Sequence, residues 1–192
     1  IPANAVLRAS TERNPYKNKE NTSENVQTIS EKDSAYEWFV KRNQLYEATR
    51  FYTDISNDMS VAQLKKVLNR DLPKFDVKSL FIAIYESPCV MEKPFDYFEL
   101  PAKAVVFAAY DTESNFVFDR YEDELVFNPQ KEVVPKKFAH LVHGDMICIA
   151  LFKGNVNYGY MIFNKGNTDL TVYDILSRTI SSLIASVFSY KV

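Results

Sequence analysis

Glycine is scarce in this chain: four occur in 192 residues. None of the four sits in a phosphate-cradling pattern, so a glycine-rich nucleotide loop is excluded. Two cysteines, Cys89 and Cys148, stand far apart and outside any C-x-x-C pair. They read as reduced thiols of a cytoplasmic protein rather than a disulfide framework. The two histidines, His140 and His143, have only Asp145 as a nearby acid, too few donors for a metal. The acidic run holding Asp119, Glu122, Asp123 and Glu124 lacks the spacing and turn glycine of an EF-hand and reads as a solvated loop. No G-x-S-x-G elbow is present. Basic residues are not in excess, with 23 Lys and Arg against 25 Asp and Glu, and no basic stripe offers a nucleic-acid groove. No apolar run approaches the ~18 residues that span a bilayer. No catalytic residue, metal, cofactor, nucleic acid or membrane is therefore expected.

What is present is apolar and aromatic. Hydrophobic residues make up 46% of the chain, with 14 Phe and 12 Tyr, enough for one sizeable domain with appendages. The chain opens at Ile1 and reads as a piece of a longer protein. Residues 11–34 are strongly polar, with Tyr16, Val26 and Ile29 as their apolar anchors. Such a stretch buries too little to offset its ordering entropy. Residues 1–32 are accordingly expected to be a linker or the tail of an upstream domain, and 33–192 a folded domain.

A helix is predicted from about Asp33 to Asn57, capped by Asp33 or Ser34. Trp38, Leu45, Tyr52 and Met59 recur in it at seven-residue intervals, a coiled-coil-like seam weakened by Arg42, Thr49 and Ser56 at the complementary positions. Ser60 caps a second helix, Val61 to Leu72, which Pro73 stops. Strands are predicted at 79–86 and 102–111, a short one near 125–127, and a helical turn at 136–140. Two alternating runs flank Lys153, Gly154 and Asn155 as a β-hairpin within 145–166. A final helix follows from Thr168 or Asp169. Its apolar stripe, including Val172, Ile180, Leu183 and Val187, is wide enough to bury on two sides.

This order predicts an α+β fold: an antiparallel sheet, terminal helices on one face, and the crossover segments 87–101 and 112–143 roofing the other. Alternation turns either Phe81, Ala83 and Tyr85, or Leu80, Ile82 and Ile84, toward the roof. The tyrosine-bearing set is the expected one, because its phenol can reach water. By the same logic Tyr110 and Tyr160 join Tyr85, and with His143 they form a candidate small-molecule pocket. The rival expectation is that Phe95, Tyr97, Phe98, Phe116 and Phe118 fill that space themselves.

The succession of helices 44–72, strand SLFIAIYE, strand AKAVVFAAYD and the block MICIALFKGNVNYGYMIFN with its helix resembles a GAF domain, with Gly159-Tyr160 at the glycine position of the GAF ending. Two further stretches carry a narrower resemblance. IPANAVLRAS looks like the tail of a LacI-type, periplasmic-binding-protein-like sensor. Val133-Val134-Pro135 with Tyr158, Gly159 and Tyr160 looks like the domain that follows such sensors in bacterial signalling proteins, ahead of a GGDEF diguanylate cyclase or an AraC-type DNA-binding domain. The resemblance implies a non-catalytic sensory relay in the cytoplasm. It would be dimeric through Trp38, Leu45, Tyr52, Leu183 and Val187, and would regulate cyclic di-GMP synthesis outside this chain. The cyclic-nucleotide, bilin and sulfoxide-reductase signatures of GAF relatives are absent. A GAF-fold enzyme built on Cys89 or Cys148 beside a histidine is the remaining alternative.

Overall fold

A computed structural model describes residues 19–53, 60–91, 99–118, 125–166 and 168–189; side chains are described from Ser34 on, those of Tyr52 and Ser189 excepted. The expectations for residues 1–18, Phe95, Tyr97, Phe98, Met59, the acidic run 119–124 and the Tyr52 side chain lie outside the described residues. The chain divides into two compact units, Ile1–Asn43 and Gln44–Val192.

The first helix, α1, runs from Lys19 to Thr53. It begins well before Asp33 and passes unbroken through the boundary expected at 32/33. The reason is local. No glycine or proline occurs between Pro15 and Pro73, and polar residues such as Glu, Lys and Gln are good helix formers whether or not they bury surface. In the first unit, Tyr36, Trp38 and Phe39 are exposed, and the Arg42 guanidinium lies over the Trp38 and Phe39 rings. In the second unit, Ala48 and Phe51 are the buried residues of the helix.

Helix α2, Val61–Asp71, starts as its sequence dictates. Ser60 and Gln63 form a capping box: the Gln63 amide donates to Ser60 Oγ at 3.3 Å and the Ser60 amide to Gln63 Oε1 at 2.8 Å. Pro73 converts its end to a short 3-10 turn, Leu72–Phe75, closed by Asp76 in the left-handed region. The strands are β1 (Ser79–Val90), β2 (Ala104–Asp111), β3 (Phe116–Phe118), β4 (Val126–Phe127), β5 (Met146–Lys153) and β6 (Val156–Asn164). They form one antiparallel sheet in the order β3-β2-β1-β6-β5, with β4 also paired to β2. A 3-10 turn at Lys136–Leu141 precedes β5. The last helix, α3, spans Leu170–Ser189, with Asp169 Oδ1 accepting from the Thr171 amide.

The two faces of the sheet carry separate cores. On the helix face, Ala48 and Phe51 of α1, Leu64 and Leu68 of α2, and Val172, Leu176, Ile180 and Ile184 of α3 pack with Leu80, Ile82 and Ile84 of β1. The last turns of α1 and all of α3 thus share one face. Ser177, Thr179 and Ser186 within α3 are accommodated because each returns its proton to the helix backbone. Ser177 donates to the Asp174 carbonyl at 2.8 Å and Thr179 to the Ile175 carbonyl at 2.8 Å. On the roof face, Phe81, Ala83 and Tyr85 of β1 pack with Phe118, Phe127, Phe138 and Tyr160.

Candidate functional site

β1 supplies the roof with Phe81, Ala83 and Tyr85, as its alternation predicts. β6 adds Tyr160 and Ile162. β2 does not follow a simple alternation. Ile82 pairs with Ala108 and Ala83 with Val106, which leaves Phe107 as an extra, bulged residue. Phe107 and Ala108 therefore both turn to the helix face, and every later residue of β2 is reversed. Tyr110 consequently sits in the helix-face core, where its hydroxyl donates to the Val77 carbonyl at 2.9 Å. This corrects the grouping of Tyr110 with Tyr85 and Tyr160. Burial drives its phenol far above the usual range, so it is a structural hydroxyl.

His143 is also outside the roof cluster. It is exposed, its ring Nδ1 lies 3.1 Å from the His140 carbonyl, and its own carbonyl accepts from Asn164 Nδ2 at 3.3 Å. His143 thus pins the entry to β5. The histidine that does touch the roof is His140, edge-on to Phe116 at 5.0 Å.

Of the four expected pocket residues, the structure brings together Tyr85 and Tyr160, whose ring centroids are 6.1 Å apart. The Tyr160 hydroxyl donates to the Val133 carbonyl at 2.5 Å, tying β6 to the loop that carries Val133-Val134-Pro135. Pro135 starts the 3-10 turn at 136–141, with the Phe138 amide donating to its carbonyl at 2.7 Å. That turn delivers Phe138, fully buried, against Phe81 at 5.7 Å, Phe116 at 6.1 Å and Phe118 at 5.3 Å. Phe116 and Phe118 therefore do occupy the space under the roof, as the rival expectation holds. Sequence reasoning missed β3, which carries both residues. The signal available was the turn Thr112–Asn115 between two aromatic runs.

The Tyr85 hydroxyl has no hydrogen-bond partner among the described residues. Burial, followed by the nearby Cys89 and Cys148 sulfurs, pushes its pKa up to about 12. Burial also raises both thiols, so each stays protonated and weakly nucleophilic. Neither thiol is hydrogen-bonded to a histidine among the described residues. Cys89 lies beside Asn157 on β6, whereas Cys148 pairs with Ile162. Several residues along the strand and two strand spacings separate the two thiols, too far for a disulfide. Among the described residues no cluster of His, Cys, Asp and Glu could hold a metal.

The helices expected to signal are placed as follows. Trp38 and Leu45 of α1 are exposed, and Leu183 and Val187 of α3 are half-buried against the helix-face core. Asp71 closes the same face where α2 meets its 3-10 turn. Its carboxylate is bound by Arg70, at 2.6 and 2.9 Å, and by Lys74 at 2.6 Å. The Arg70 hydrogen bond, outweighing burial and helped by Lys74, holds its pKa below the usual 3.8. A lowered folded-state pKa gives stability that is present above 3.8 and lost as the pH falls through the folded value. Asp71→Asn is expected to cost about 1–2 kcal/mol at pH 7. It should cost much less at pH 2, as read by urea unfolding at both pH values.

No family model matches the chain, and no curated protein matches it. One solved structure is similar, the A. Aeolicus nlh2 GAF domain in an inactive state, at 15% identity over 79% of this chain and 97% of that one, with a TM-score of 0.40. Among the described residues no helix is long and apolar enough to cross a membrane.

Proposed function

We propose that this chain is a non-catalytic, GAF-like sensory or relay domain whose terminal helices carry the signal. The observation that supports this most directly is the shared helix face. Phe51 of α1 and Ile180 of α3 enter one continuous core, so a shift of either helix must be accommodated by the other. The opposite, roof face carries a distinct cluster of its own aromatics. A relay of this kind needs two packings within a few kcal/mol of each other. A bacterial diguanylate cyclase attached beyond Val192 would respond to such a change in helix register. An AraC-type DNA-binding domain is the second output, supported by the same sequence resemblance.

In this reading the domain is a dimer through its terminal helices. Trp38 and Leu45 present exposed apolar surface at heptad spacing. Leu183 and Val187 contribute the half-buried edge of α3. Trp38→Asp combined with Leu45→Asp should leave the far-UV spectrum unchanged and convert the dimer to monomer, read by sedimentation equilibrium. A wild-type chain that stays monomeric at about 100 μM, well above the dissociation constants of stable pairs, would refute the dimer. So would a double variant that stays dimeric.

A further inference from the structure

Strand β5 ends the sheet. Among the described residues it pairs with β6 alone, so one side of its backbone has no strand beside it. A single hydrogen bond fixes which backbone groups face that side. The Lys165 amide donates to the Asp145 carbonyl at 2.8 Å, so Asp145 turns its carbonyl toward β6. Antiparallel pairing alternates this direction residue by residue. Met146, Cys148, Ala150 and Phe152 therefore aim their amides and carbonyls at the open side. The irregularity between the two strands does not disturb this order, because its extra residue lies on β6: Ala150 and Phe152 face Tyr160 and Asn157. Open edges of soluble domains are ordinarily guarded by a charge, a proline or a bulge. The stretch 146–152 of β5 carries none of these. Cys148, Ala150 and Phe152 are instead exposed, and Ile147 and Ile149 are only half-buried against the helix-face core.

The charges at the two ends of this stretch select its occupant. Asp145 precedes it and Lys153 follows it, both exposed. When the strand is laid antiparallel against a copy of itself with Ile149 opposite Ile149, Asp145 faces Lys153 at both ends. Ile147 then meets Leu151 toward the helix face, Met146 meets Phe152 toward the roof face, and the small Cys148 and Ala150 oppose each other in the middle. A two-fold axis allows only registers in which one residue opposes its own copy. Moving the centre to Cys148 or Ala150 sets Lys153 against His143 or Ile147 and loses both charge pairs. We propose that β5 pairs with β5 of a second copy of this chain in the register centred on Ile149, so that one sheet continues across two chains. The Cys148 amide of each copy donates to the Ala150 carbonyl of the other. A single strand pairing covers less surface than the ~1,200 Å2 of stable complexes. Its Kd is accordingly expected on the order of 1 mM, which leaves this edge mostly unpaired at about 100 μM. The contact uses neither Trp38 nor Leu45 and stands independently of the helix dimer. Where both form, it joins helix dimers edge to edge.

The test traps the register covalently, in the whole chain carrying Trp38→Asp and Leu45→Asp so that helix pairing plays no part. Cys89 and Cys148 are replaced by Ser, and Asp145→Cys and Lys153→Cys are made in separate chains. In the proposed register these positions oppose each other as a non-hydrogen-bonded pair, with Cα atoms about 4.5 Å apart, within disulfide reach. Oxidised together with diamide, the two chains should form the mixed 145–153 disulfide, while either chain alone forms almost none. The mixed product should fall to the level of random collision in concentrated urea. A second measurement leaves the edge cysteines out. Amide shifts at 146–152 should move with protein concentration between about 0.05 and 1 mM, around the expected Kd. Lys153→Asp should weaken this association about fivefold, the effect of setting like charges opposite each other at both ends. Asp145→Lys combined with Lys153→Asp should restore it. Absence of any disulfide, the outcome if the edge takes a strand of another protein or only water, overturns the proposal. Homodisulfides as abundant as the mixed product, or a charge swap that fails to restore association, overturn it as well.

Discussion

Gly159→Ala is expected to destabilise the domain by about 3 kcal/mol or more, the upper range for forcing atoms into a filled interior. Gly159 holds φ at +151°, where a side chain is strained, and an added Cβ would stand 2.0 Å from the Ala83 carbonyl oxygen and 2.9 Å from Ile84 Cα. Both obstacles are backbone atoms of β1, the central strand that pairs with β6 here. They cannot rotate aside as a flexible side chain would. Relief would require β1 and β6 to separate at the point where the Gly159 amide also donates to Asn157 Oδ1 at 3.0 Å. Against a total stability of ~5–15 kcal/mol, the loss should show as a large drop in urea midpoint with little change in slope. Gly154→Ala is the control. Its φ of +62° lies in the ordinary left-handed region, no atom stands within 4 Å of the added Cβ, and it should cost only about 1 kcal/mol. Equal losses at the two positions would show that strand contact is not what demands glycine at 159.

Phe138→Ala should cost about 3–5 kcal/mol, the usual range for truncating a buried phenylalanine. The residue is fully buried and touches Phe81, Phe116 and Phe118. None of these neighbours can collapse into the gap easily: Phe81 is fixed in the central strand, and Phe116 and Phe118 in the paired strand β3. The vacated space is lined by rings and should stay dry, as apolar cavities do. Benzene is therefore expected to raise the melting temperature of the variant and leave the wild type unchanged. If benzene stabilised the wild type as much, the roof would already hold a ligand-sized cavity, and the filled-roof description would fail.

Local rules carried a reader of this chain a long way. The capping box at Ser60 and Gln63, the arrest at Pro73, the hairpin at Gly154-Asn155 and the wide apolar stripe of α3 are all short-range features. Each is set by hydrogen bonds or periodicities within a few residues. The facing of β1 was legible too, since Tyr85 shares its side with Phe81 and Ala83. Gly159 could be marked as a required glycine by resemblance, although only the approach of Ala83 explains the requirement. The start of α1 was misjudged because low apolar content was taken as absence of structure. A helix that satisfies its own backbone hydrogen bonds needs little burial to continue through polar residues.

Composition, periodicity and turn chemistry determined by themselves that this would be an antiparallel sheet with helices at either end, because each element is specified by contacts close in sequence. Tertiary structure alone decided which side chains meet. One bulged residue, Phe107, reversed Tyr110, since a sheet alternates its faces with a period of two and a single insertion flips all that follows. It also decided that Phe138, Phe116 and Phe118 fill the roof, and that β5 stands at the edge of the sheet. Those outcomes depend on how separately specified elements pack, and that information is spread over the whole chain.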